Sequence, residues 1–295
     1  MADKVLHVHD VELGYVPRPG VRGHVRDGGA VTIDADGLRF TGEVAAAAGS
    51  PLVLAVGDSF TYGEHVGDLD AWPAQLQRLI GHRVLNGGVS GYGFDQTVLR
   101  AERLAARHRP DVMIVGLIAD DVRRTEMRRL WWHDKPWFDV EHDRLVPRGV
   151  PVPDRALLPV ALRRILEQIL IGLPPGLQHL TGYSVRVHPP GAGASISRLL
   201  VDRLAALQRT EGVRILLLAQ YDVRVWAGGG AAEAQRRVLQ PLLQRAAALG
   251  LSTFDTFSRL AAEPEPRRFY GPIHMNARGN RLIAGVLSAR LASLR

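Results

Sequence analysis

From Pro51 onward, short apolar runs alternate with longer segments whose apolar residues recur every three or four positions. A run of four to seven apolar residues bounded by turn formers suits a strand buried on both faces. The three-to-four repeat suits a helix with one face against a core. The expected strands are Leu52–Val56, Arg83–Asn86, Val112–Ile118, Ile215–Ala219 and Ser252–Phe254. Helices are expected over Trp72–Ile80, Gln96–Arg107, Ser197–Glu211, Ala231–Leu249 and Ala277–Leu294. Strand and helix in alternation predict an α/β fold, a parallel sheet with helices on both faces, and five strands fit a doubly wound order.

Two stretches break the rhythm. Residues 1–50 read as β and turn, with a strand-like run from Val31 to Phe40 interrupted at Asp36-Gly37, and Ala45–Ser50 reads as a linker to the main domain at 51–295. The interval Arg123–Pro190 carries Trp131, Trp132, Trp137 and scattered prolines, and is expected to be an insertion after the third strand. Such an insertion overhangs the carboxyl ends of the strands, where open α/β sheets bind ligands. A lid and a structural extension or dimer contact are equally good readings of it, and the three tryptophans suit sugar or acyl contact as well as lid core.

A chain of 295 residues that is 46% hydrophobic can bury one large core without disulfides or metal. The absence of cysteine removes thiolate zinc sites and a cysteine nucleophile. No apolar run reaches membrane-spanning length, and Met-Ala-Asp-Lys-Val-Leu-His lacks the character of a signal peptide. The expectation is a cytoplasmic chain as written, or a periplasmic one if an export segment was trimmed. The net charge of +7 suggests an anionic partner, yet all but two of the 37 basic residues, Lys4 and Lys135, are arginines. They spread along amphipathic segments, as Arg100, Arg103, Arg107 and Arg109 do, so no nucleic-acid partner is expected.

The first strand delivers Gly57-Asp58-Ser59 into Phe60-Thr61-Tyr62-Gly63, placing a serine at a strand-to-helix turn. Alone, that serine reads better as a helix cap than as a nucleophile. Three other segments change the balance. Val84-Leu85-Asn86-Gly87-Gly88-Val89-Ser90-Gly91 follows the second strand, Val115-Gly116-Leu117-Ile118-Ala119-Asp120-Asp121 follows the third, and Gly271-Pro272-Ile273-His274-Met275-Asn276 precedes the last helix. In order and position, these blocks resemble those of the SGNH hydrolases, the GDSL-type esterase and lipase superfamily. The resemblance covers about residues 51–294 without most of 123–190. It implies a flavodoxin-like three-layer α/β/α sandwich and a serine esterase needing no cofactor. Ser59 would be the nucleophile, Gly91 an oxyanion-hole backbone donor beside the N–H of Ser59, and His274 the catalytic base. The last loop lies at the same sheet edge as the turn after the first strand, so Ser59 and His274 can meet. Asp10 to Gly20, followed by Asp36-Gly37-Leu38-Arg39, looks like the leader of bacterial SGNH proteins of unassigned substrate, whose setting suggests O-acyl groups on carbohydrate.

Two positions depart from that pattern. Asp120 stands where the family has an oxyanion-hole asparagine; its carboxyl could donate only when protonated, with Asp121 raising its pKa and Arg123 and Arg124 lowering it. Gly271 stands where the family has the aspartate that orients the histidine, leaving a Ser59–His274 dyad with an unassigned third member. Asp255 and Glu265 are candidates for it, better read as structural. The departures also admit a weakened domain that binds carbohydrate or protein; with a sugar hydroxyl in place of water as acceptor, the same site would make an O-acyltransferase. A metal at Asp111, Asp120 and Asp121 is not expected, because adjacent strand carboxylates point to opposite faces.

Overall fold

The computed structural model describes residues 7–24, 29–45, 49–154, 169–170 and 173–292. Its centre is a parallel sheet of β1 (Val53–Val56), β2 (Val84–Asn86), β3 (Val112–Leu117), β4 (Arg214–Ala219) and β5 (Ser252–Asp255). The spatial order is β2-β1-β3-β4-β5, the flavodoxin-like arrangement. Because successive side chains of a strand point to opposite faces, each apolar run feeds two cores. Leu54, Val56, Met113, Val115, Ile215 and Leu217 pack with one helical layer, and Val53, Ala55, Ile114, Leu216 and Leu218 with the other.

The first layer contains α3 (Phe94–His108), α5 (Gly193–Glu211) and α6 (Ala231–Ala248); the second contains α2 (Trp72–Ile80) and α7 (Ala277–Ala292). All five expected strands and helices are present. Their ends move where local hydrogen bonds decide them. α3 starts at Phe94 because the Gln96 side chain accepts the Gly93 N–H. β3 stops at Leu117 because Ile118 N–H turns to the Asp121 carboxylate and opens α4 (Ala119–Arg124). α7 is described to Ala292; Leu294 lies outside the described residues.

After β1 the chain pairs β2 on one side and β3 on the other. The carboxyl end of β1 is therefore the switch point, where the strand order reverses and a crevice opens.

The N-terminal segment forms hairpins His7–Asp10/Gly14–Pro17 and Arg22–His24/Ala30–Thr32. The expected run from Val31 to Phe40 folds back at Asp36-Gly37 through an Ile33–Arg39 bridge. Arg39 N–H then donates to Asn86 O at 2.9 Å, extending the β2 edge. Leu13 and Tyr15 pack on Val89 and Tyr92, and Val31 and Ile33 on Tyr62. The segment is thus built into the core's surface. Of its expected linker, 46–48 lie outside the described residues.

The chain leaves the core after α4 and returns at α5. Between them, Met127–Leu130 and His133–Asp134 form a hairpin joined by Val185–Arg186, and Trp137–Glu141 pairs with Arg144–Arg148. Residues 155–168 and 171–172 of the expected insertion lie outside the described residues.

Candidate active site

Gly57 ends β1 where a Cβ would lie 2.2 Å from Thr61 Oγ1 and 2.9 Å from Gly116 O, so only glycine lets the turn close. Asp58 is the cap of the short helix α1 (Ser59–Tyr62), its carboxylate accepting the Phe60 N–H at 2.9 Å. The capping role that a serine could have filled is taken by its neighbour, and Ser59 becomes the first helical residue with its hydroxyl directed elsewhere.

That hydroxyl lies 2.8 Å from His274 Nε2 and 3.3 Å from Asp58 Oδ2. It has one proton to donate, and the shorter contact is to the imidazole. His274 sits in the loop before α7, where its carbonyl accepts the Gly271 N–H at 2.8 Å and its ring packs on Phe60 with centroids 5.1 Å apart. Burial above all, with the Arg124 charge beside it, lowers its pKa to about 3 against a weaker opposing pull from Asp222. The imidazole is therefore neutral and free to accept a proton over the ordinary pH range.

The Nδ1 edge of that ring meets an unexpected partner. His65 Nδ1 lies 3.3 Å from His274 Nδ1, with ring centroids 4.8 Å apart and planes inclined by 78°. Neither carboxylate considered from the sequence is there. Asp255 accepts from Gln240 and from Phe257 N–H, and Glu265 pairs with Arg268.

Gly91 faces the same cavity as Ser59, with φ +82°; a Cβ there would come within 2.4 Å of the Trp131 ring. Tyr15 Oη donates to the adjoining Ser90 O at 2.9 Å, so the N-terminal segment braces this loop. Among the described residues, no backbone hydrogen bond occupies the N–H of Ser59 or Gly91.

Asp120 also lines the cavity. Burial opposes its charge, but Arg124 and Arg123 outweigh it and hold the carboxyl well below the usual carboxylate range. Asp120 Oδ1 accepts from Arg123 Nε at 2.6 Å, and Oδ2 lies 2.9 Å from Arg124 Nη2. An ionised carboxylate has no proton to donate, which opposes the oxyanion-donor role expected from its position. Asp121 behaves oppositely: burial and the nearby Asp58 push its carboxyl up, although it accepts from Arg124 and Ile118 N–H. Both aspartates lie in the first turn of α4, not on a strand, so the expected separation onto opposite sheet faces does not hold. Arg124 gathers both, at 2.9 and 2.8 Å, and approaches Asp58 at 3.7 Å. No group of three metal-ligating side chains occurs among the described residues.

The three tryptophans separate. Trp131 lines the cavity beneath the Arg124 guanidinium, 5.4 Å from its ring centroid. Trp132 is buried edge-on against Tyr183, at 5.1 Å. Trp137 is half-buried on the Trp137–Glu141 strand and shields Gly149. The cavity has a volume of about 620 Å³, with Gln178, Asp222, Arg224 and Ile273 on its walls.

A doubly wound sheet with a hydroxyl and a neutral imidazole in contact at its switch point defines a class, the α/β proteins of flavodoxin-like order that carry their site at the carboxyl ends of the strands. Residues 55–282 match the GDSL-like Lipase/Acylhydrolase family, and the chain belongs to that family; it is an ester-hydrolysing enzyme. The fold is shared with an alpha/beta hydrolase enzyme from the metagenome of Lake Arreo, Spain, at 18% identity and TM-score 0.52, over 86% of this chain and 100% of that one. Similarity also extends to a lipase/acylhydrolase from Enterococcus faecalis, at 14% identity and TM-score 0.47, over 82% of this chain and 95% of that one. An acetylxylan esterase from Geobacillus stearothermophilus is similar at 14% identity and TM-score 0.47, over 80% and 92%. No curated protein matches the sequence.

Sequence reasoning did not single out His65, Arg39 or the central place of Arg124. The one available signal was a histidine six positions beyond the serine in a chain whose base lacks its aspartate.

Proposed function

We propose that the chain is a serine-dependent hydrolase of acyl esters, with Ser59 as nucleophile and His274 as base. The observation that carries this reading is the 2.8 Å contact between Ser59 Oγ and His274 Nε2. Ser59 Oγ attacks the ester carbonyl as Nε2 takes its proton. The N–H groups of Ser59 and Gly91 stabilise the oxyanion. Collapse returns the proton to the departing alcohol oxygen, and water, activated by the same imidazole, releases the acid and restores Ser59.

Asp120 stays outside the donor set in this reading. Losing one donor of an oxyanion hole costs roughly 10²–10³-fold in turnover, so the enzyme is expected to be slow compared with one that has three. A cavity of about 620 Å³ exceeds the needs of a small acyl group alone. The Trp131 ring on its wall supports an alcohol portion with a flat apolar face, as a sugar has, and hence O-acyl groups on carbohydrate as the substrate class.

Fluorophosphonate labelling followed by peptide mapping tests the nucleophile, and hydrolysis of p-nitrophenyl acetate and butyrate tests turnover. Wild type is expected to carry one adduct on Ser59 and to release p-nitrophenol; Ser59→Ala is expected to do neither. An unlabelled wild type, or a Ser59→Ala variant as active as wild type, would refute the assignment.

A further inference from the structure

Gly271 offers no side chain to His274, yet the ring is not left unsupported. We infer that His65 is the positioning residue of the Ser59–His274 pair, its Nδ1 accepting the Nδ1–H of His274 in place of a carboxylate. The inference rests on the proposed roles of Ser59 and His274 and adds a third member to them.

The tautomers follow from the chemistry. A base that accepts the Ser59 proton at Nε2 must carry its own proton at Nδ1. That proton then points to the atom 3.3 Å away, His65 Nδ1, which must be unprotonated and leaves the His65 proton on Nε2. The arrangement holds before and after proton transfer. When Nε2 takes the serine proton, His274 becomes an imidazolium and the same Nδ1–H becomes a charge-assisted donor to His65. His65 neither gains nor loses a proton; it keeps the tautomer and ring orientation that the reaction needs.

The carboxylates that line the cavity with His274 are engaged elsewhere. Asp222 accepts from Arg224 N–H, from the Arg224 guanidinium and from Gln235. Glu64 accepts from Ser90 Oγ. The charged groups facing His274 are thus Arg124 and Asp222, itself ion-paired with Arg224, with His65 the partner in contact.

The loop that holds His65 is built to keep it there. Its φ of +68° is a conformation that non-glycine residues adopt at a cost, and such positions concentrate at functional sites. Buried Arg39 from the N-terminal segment donates to the carbonyls of Tyr62 at 2.7 Å, Gly63 at 2.6 Å and Val66 at 2.6 Å, bracketing His65 on both sides. Its Nε binds Asp68 at 3.0 Å.

The variants His65→Gly, His65→Asn and His65→Asp test the role with p-nitrophenyl butyrate and with the rate of fluorophosphonate labelling at Ser59. Glycine suits the left-handed backbone and removes the acceptor. Its kcat and labelling rate are expected to fall about 10- to 100-fold, with KM within about twofold of wild type, and added imidazole is expected to restore part of the loss. Asparagine tolerates the same backbone and offers Oδ1 as a neutral acceptor; its kcat is expected to stay within a few-fold of wild type. Aspartate puts a negative charge on the His274 ring, so the acid limb of kcat/KM is expected to move to higher pH.

A folded His65→Gly variant with wild-type kcat, labelling rate and pH profile would overturn the inference while leaving the Ser59–His274 reading intact. If the glycine variant fails to fold, a folded His65→Asp variant without a displaced acid limb overturns it instead. A wild type that takes no adduct at Ser59 removes the proposed function, and this role with it.

Discussion

The negative charge at Asp120 works against the reaction proposed for Ser59 and His274, since it lines the cavity where an oxyanion would form. Asp120→Asn is expected to raise kcat on p-nitrophenyl acetate by about tenfold or more, because the amide can donate where the carboxylate cannot. A fall in kcat would show that the ion pairs to Arg123 and Arg124 matter more than the missing donor. With His274 as the proposed base, the pH dependence follows its titration. With its pKa lowered to about 3, the free enzyme keeps its base form far below the usual histidine range. kcat/KM is therefore expected to stay level from pH 7 to 5, with its acid limb well below 6.5; a half-loss near pH 6.5 would contradict the buried setting. The same shift bears on stability. Unfolded His274 protonates near 6.5 and the folded residue only near 3, so unfolding takes up a proton between them. Its contribution is whole above about pH 6.5 and is lost as pH falls towards 3, and Tm of wild type should drop more than that of His274→Gln between pH 7 and 5. Ser59 and His274 were legible because each lies in a local block beside a predicted element. His65 was not, since nothing in Gly63-Glu64-His65-Val66 marks it until the fold brings His274 across.

Among the elements, two short loops carry the site and both hold unfavourable backbone. The first is the turn after α1, held by Arg39. Removing that guanidinium strands Asp68 and uncaps three carbonyls, and Arg39→Met is expected to cost about 3–5 kcal/mol in urea unfolding. The second is the two-residue turn between Leu130 and His133, where Trp131 and Trp132 both have positive φ, at +50° and +59°. Such hairpin turns favour Asn-Gly, and each bulky residue there costs roughly 1–2 kcal/mol. The contacts of Trp131 with the cavity and of Trp132 with Tyr183 offset that cost. Trp131→Gly is thus expected to leave Tm within a few degrees while raising KM for p-nitrophenyl butyrate several-fold; an unchanged KM would take Trp131 out of the substrate site. The insertion was visible from its broken periodicity and its aromatics. Which tryptophan faces Ser59 was not, because the turn sends neighbouring side chains to different sides.

At the scale of the molecule, the N-terminal segment completes the hydrolase core, covering Tyr62, Val89 and Tyr92 and supplying Arg39. A chain begun at Gly49 would expose those faces, and is expected to melt non-cooperatively or elute as aggregate in gel filtration; an unchanged Tm would make the segment dispensable. Sequence by itself determined the five strands, the two helical layers and the edge where Ser59 and His274 lie, because strand and helix periods are local properties of the chain. Only the tertiary structure decided what stands behind His274, which charge Asp120 carries and how the N-terminal segment belongs to the core. Those depend on groups far apart along the chain, 209 positions in the case of His65 and His274, whose contact no local pattern encodes.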